Sequence, residues 1–144
     1  MVKLLHERMK SKDGWALNTI LLGDFNIFSR KDETYLTFEK NKFKIPASLK
    51  KTYTNANQDK PFDQIAFLAC DVDWQMDVMK SGTFPFFDYV YRDSECSVYL
   101  PNGTEKEYKQ WRTFQMSDHL PLWVELQVDF GADYLKKKLQ PPVQ

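Results

Sequence analysis

The sequence predicts an α/β (α+β) fold in which helices pack around a sheet. Three observations carry this reading. Short apolar runs at Thr19–Leu22, Gln64–Ala69 and residues 122–128 have strand length and pattern. Segments near residues 2–12, 32–41 and 134–139 carry apolar residues at helical spacing. Polar residues gather where the strand-like runs begin or end. The 144 residues are 42% hydrophobic and 15% aromatic, enough for a packed core and too much for a disordered chain. That length suits one domain, read here as residues 1–140 with a frayed tail at 141–144.

Leu4, Leu5 and Met9 recur at helical spacing between charges, and Asp13-Gly14 stops that helix. Thr19-Ile20-Leu21-Leu22 is wholly apolar apart from its threonine and ends at Gly23. It reads as a central strand buried on both faces. A helix is expected over Asp32–Asn41, with Asp32 near its cap and Tyr35, Leu36 and Phe38 partly buried. Pro46 punctuates, and Ala47–Lys60 reads as a polar loop. Gln64–Ala69 alternates, so Ile65, Phe67 and Ala69 share one face of a second strand. Asp71–Gly103 is the least regular stretch, rich in aromatics around Gly82 and Pro85, and reads as a packed insertion. In 122–128, Leu122, Val124, Leu126 and Val128 face a core while Glu125 and Gln127 face outward. Tyr134–Leu139 reads as a short basic helix.

Twenty basic and twenty acidic side chains cancel, which leaves no electrostatic footprint for tight nucleic-acid binding. No apolar run approaches the ~18 residues a membrane helix needs. Met1–Lys12 is too charged for a signal peptide, so the expected setting is cytoplasmic, with Cys70 and Cys96 as free thiols. Two cysteines and two histidines offer no zinc spacing.

The candidate functional residues are Asp24, Asn26, Asp63, Asp118 and His119. Three carboxylates, a carboxamide and an imidazole suit hydrolysis of a phosphate ester. A hard cation such as Mg²⁺ takes carboxylate oxygens and keeps several waters. It neutralises phosphoryl charge and activates bound water. A histidine serves as general base or holds a phosphate oxygen, and a carboxylate on its other ring nitrogen orients it. Asparagine donates its NH₂ to phosphate or nucleophile. Each motif alone also has an ordinary reading. Gly-Asp-Phe-Asn is a common turn composition, Asp63 suits a local cap, and Ser-Asp-His-Leu-Pro suits a turn before a strand.

Taken together and in order, the motifs GDFN at 23–26, FDQIAF at 62–67 and SDHLP at 117–121 resemble the endonuclease/exonuclease/phosphatase superfamily, the deoxyribonuclease-like metal phosphoesterases. The likeness spans most of residues 17–130, with about 71–113 left as an aromatic-rich insertion. It implies a sandwich of two mixed sheets and metal-dependent hydrolysis of a phosphodiester or phosphomonoester. It implies that Asp24 activates water or assists the leaving oxygen and that Asn26 positions phosphate. Asp63 would orient the catalytic histidine, His119, and Asp118 with Asp24 would coordinate Mg²⁺ or Mn²⁺. The implied partner is a phosphate-ester substrate, nucleic acid among the candidates.

The family's early asparagine and metal-binding glutamate stand well upstream of its GDFN motif. Here 23 residues precede Asp24, so the resemblance implies the C-terminal half of such a domain. A half-sandwich exposes an apolar sheet face, which predicts association with the N-terminal half or self-association. It also predicts weak metal binding and low activity alone. The alternative is a non-catalytic half-domain used for binding or assembly with a partner chain.

Overall fold

The computed structural model describes Lys3, Leu4, Glu7, residues 18–69 and residues 76–139. Lys3, Leu4 and Glu7 are helical, in line with a helix over 2–12. The rest of that helix, its stop at Asp13-Gly14, Cys70 and the tail lie outside the described residues.

The architecture is α+β, with two antiparallel strand pairs among the described residues. Strand β1 (Asn18–Asp24) pairs with β2 (Asp63–Ala69), with Asn18 opposite Ala69 and Asp24 opposite Asp63. Strand β3 (Asp77–Thr83) pairs with β4 (Leu122–Gln127), with a register shift between Val78 and Lys80. The helices are α1 (Glu33–Lys40), α2 (Cys96–Tyr99), α3 (Glu105–Gln115) and α4 (Gly131–Leu139). No helix among the described residues is long and apolar enough to cross a membrane.

The strand covered on both faces is β2, not β1. Ile65, Ala66, Phe67 and Leu68 are all buried, and Lys44 bonds Phe67 through both backbone groups at 2.7 and 2.9 Å. Strand β1 lies at the outer side of this pair. Leu21 packs on the core, whereas Ile20 and Leu22 point away and Leu22 is 67% exposed. An unbroken apolar run carries no alternation, so it cannot tell one covered face from two.

The main core joins Tyr35 and Phe38 of α1 to Phe43, Ile45 and Leu49 and to the inner side of β2. Phe38 is fully buried and meets Phe25 edge-on with ring centroids 5.0 Å apart. Leu36, expected to be partly buried, is exposed. Leu122, Val124 and Leu126 pack on this core, so the alternation of β4 places them as the sequence predicts. Val128 does not join them: it lies past the end of β4 and is exposed.

The 47–60 segment is more ordered than a polar loop. Leu49–Lys51 forms a 3₁₀ turn, and Leu49, Thr54 and Asn55 are buried. The 71–113 segment holds β3, the short α2 and most of α3, which its composition hides. Helix α3 opens with a capping box: the Thr104 hydroxyl accepts the Glu107 N–H, and the Glu107 carboxylate accepts the Thr104 N–H. Phe86 and Phe87 form a second small core with Leu120, the residue after His119. Arg112 of α3 is buried over the Phe87 ring at 4.3 Å and donates to Asp93 at 2.6 Å. The aromatic segment therefore anchors the strand entry that carries the histidine.

Candidate active site

The site forms where β1 ends, β2 begins and the chain enters β4. Gly23, the next-to-last residue of β1, has φ +151°, a backbone conformation that side chains disfavour. Asp24 then accepts the Asn26 N–H on Oδ1 at 2.8 Å, an Asx turn. Asn26 sits at φ +51°, in the left-handed region that asparagine tolerates better than most residues.

Asp63 faces Asp24 directly across the β1–β2 ladder. Like charges opposite one another destabilise a strand pair, so this pairing needs a compensating group. Histidine supplies one: His119 Nδ1 lies 2.8 Å from Asp63 Oδ2. Ligand atoms of Asp24, Asp63 and His119 all lie within 4.8 Å of one another. Three segments distant in sequence thus meet in one cluster.

The supports around the cluster are backbone and hydroxyl groups. Thr54 is 1% exposed; its Oγ1 accepts the Asp63 N–H at 2.9 Å and its carbonyl accepts the Leu120 N–H at 2.6 Å. The same residue donates its N–H to the Lys60 carbonyl at 2.8 Å. Asn55 makes a β-bridge to His119, and the His119 N–H donates to Ser117 Oγ at 3.0 Å. Phe62 leans on the imidazole with centroids 5.4 Å apart.

Partial burial works against a charged His119. The hydrogen bond to Asp63 and the negative charges of Asp63, Asp118 and Asp24 outweigh it, and the pKa is raised above 6.5. A carboxylate only accepts, so the Nδ1 proton points to Asp63 and Nε2 is the nitrogen left for chemistry.

Of the five residues predicted from sequence, Asp24, Asp63 and His119 are brought together. Asp118 is exposed and its carboxylate is not part of that group, although its charge acts on His119. The Asn26 side chain is exposed, and among the described residues no hydrogen bond joins it to the pair. Thr54 was not among the residues the sequence singles out, since a threonine in a polar stretch carries no signal of its own. Phe62 lies inside the second motif, where only its neighbour Asp63 attracts attention.

No family model, curated protein or solved structure matches the chain. Functional inference therefore starts from the cluster itself. Its donor chemistry fits a hard divalent cation in part. Asp24 is exposed and offers carboxylate oxygen beside a second carboxylate, and Mg²⁺ is commonly held by one or two carboxylates together with waters and substrate phosphate. Asp63 is engaged by His119, so of the three clustered side chains Asp24 is the carboxylate that could hold such a cation.

Proposed function

We propose that this chain carries the histidine half of a metal-dependent phosphoester-hydrolysing site. The observation that supports it most is the Asp63–His119 pair at 2.8 Å with Asp24 beside it. The likeness of the three motifs to the deoxyribonuclease-like phosphoesterases supports the same reading. Asp63 fixes the tautomer and direction of His119, so Nε2 faces the scissile phosphate. The raised pKa favours an imidazolium, which holds a phosphoryl oxygen and stabilises charge that grows on it in the transition state. In this reading Asp24 would accept a proton from attacking water, and Asn26 would donate to a phosphate oxygen. A divalent cation, Mg²⁺ or Mn²⁺, held by Asp24 with Asp118, would supply charge neutralisation at the phosphate.

The reading includes a second part. The exposed Ile20 and Leu22 flank the site on the outer face of β1. Another segment or a second copy packed there would cover them and add metal ligands. This observation also favours the alternative of a non-catalytic half used in assembly.

Turnover of a chromogenic phosphodiester and phosphomonoester with Mg²⁺ or Mn²⁺ tests the catalytic reading. His119→Ala and Asp63→Asn are expected to lower the rate by about 100-fold or more, the scale of general acid–base catalysis. Equal rates in wild type and both variants would remove the assignment.

A further inference from the structure

Beside the cluster stands a rigid aromatic wall that hydrolysis of a phosphate does not itself require. The Phe28 ring meets the Phe62 ring edge-on at 5.1 Å, and Phe62 in turn leans on His119 at 5.4 Å. Phe28 is 60% exposed. The loop is pinned: the Phe28 and Ser29 N–H groups both donate to Asp32 Oδ2 at 2.9 Å. Phe62 is tied to the Asp24 turn, because its carbonyl accepts the Phe25 N–H at 3.0 Å. The backbone that carries each ring is thus held in place.

A second observation comes from the surface beyond Phe62. A groove of about 700 Å³ opens there, with Phe62 on one wall and Lys106, Gln110 and Thr113 of α3 on the other. It reaches Asp118, the neighbour of His119. Its polar wall is rich in side-chain donors and acceptors, and its aromatic wall offers a π-face. Neither Phe28 nor His119 lines it, and its approach to the cluster is through Phe62 and Asp118.

We infer that Phe28 and Phe62 determine specificity at this site by receiving a flat aromatic ring attached close to the substrate phosphate. The inference rests on the phosphoester reading above and adds to it the chemistry of the group beside the phosphate. Stacking and edge contacts are tolerant of ring identity, so the same wall serves a nucleobase or a phenolic ester. An aliphatic alcohol such as glycerol gains little from it.

The test is equilibrium binding to the whole chain with Mg²⁺ present. The probes are inorganic phosphate, glycerol 3-phosphate, phenyl phosphate and adenosine 5′-monophosphate. The aromatic esters are expected to bind about tenfold more tightly than glycerol 3-phosphate. Phe28→Ala should erase that preference and leave inorganic phosphate and glycerol 3-phosphate unchanged. Phe62→Leu, which keeps an apolar side chain in place, should weaken it as well. A preference for both aromatic esters assigns any flat ring, and a preference for the nucleotide alone assigns the base; both support the wall. Phosphate binding with no aromatic preference, or a preference that survives Phe28→Ala, overturns this inference and leaves the phosphoester reading standing. Binding of none of the four probes overturns both.

Discussion

Thr54→Val isolates the support beneath the Asp63–His119 pair. The substitution replaces a hydroxyl with a methyl group and nearly preserves shape. Thr54 is 1% exposed, so no water can replace the lost oxygen at the Asp63 N–H. An unsatisfied buried donor costs about 1–3 kcal/mol. The extra buried methyl returns up to about 0.8 kcal/mol. With the cost taken at the middle of its range, about 2 kcal/mol, the net loss is about 1.2 kcal/mol, which at an m-value of about 2 kcal/mol/M lowers the urea midpoint by about 0.6 M. The backbone bonds from Thr54 to Lys60 and Leu120 survive, so the fold persists. The assay is urea unfolding followed by tryptophan fluorescence, with the m-value as a check that cooperativity is kept. A midpoint within 0.2 M of wild type would show that the hydroxyl supports nothing, at a scale of about 0.4 kcal/mol. A serine at position 54 restores the acceptor and should recover most of the loss that follows from the missing oxygen.

Other expectations concern the cap, the titration and the metal. Thr104→Ala removes the α3 cap and should cost about 1 kcal/mol in urea unfolding; a change below about 0.3 kcal/mol would mean the helix is held by Tyr108 and Arg112 alone. The His119 pKa is raised on folding despite partial burial, so its stabilising contribution is complete below 6.5 and fades as pH rises through the higher folded value. Comparing wild type with His119→Gln, the stability gap should therefore shrink as pH rises from 6.5 through the higher folded value, and a gap constant with pH would contradict the pairing. Asp24→Asn should weaken Mn²⁺ binding about tenfold or more, read by paramagnetic broadening of nearby amides, and undiminished broadening would place the cation elsewhere.

The elements legible in the sequence are those whose apolar pattern is complete within the segment. Leu122, Val124 and Leu126 alternate, and β4 follows. Tyr35 and Phe38 share one side of α1, and that helix follows. Strand β3 has no such pattern: Met79 is exposed, and Lys80, Ser81 and Gly82 follow it. It is a strand because it pairs with β4, a contact some forty residues away in sequence. Helix α3 packs through Tyr108, Trp111 and the buried Arg112 rather than through aliphatic residues, which masks its periodicity. The box from Thr104 to Glu107 was its readable signal. At the site, Asp24, Asp63 and His119 are legible because polar residues at strand ends stand out from apolar runs. Thr54 and Phe28 are not, because their roles depend on which atoms lie opposite them in space.

The most direct test of the central claim is ¹⁵N NMR of the His119 ring during titration with inorganic phosphate and Mg²⁺, in wild type and Asp63→Asn. The account predicts a single tautomer with the proton on Nδ1, a pKa above 6.5 that falls in the variant, and an Nε2 shift on adding phosphate. A tautomer mixture indifferent to Asp63→Asn, with no response to phosphate, would contradict it.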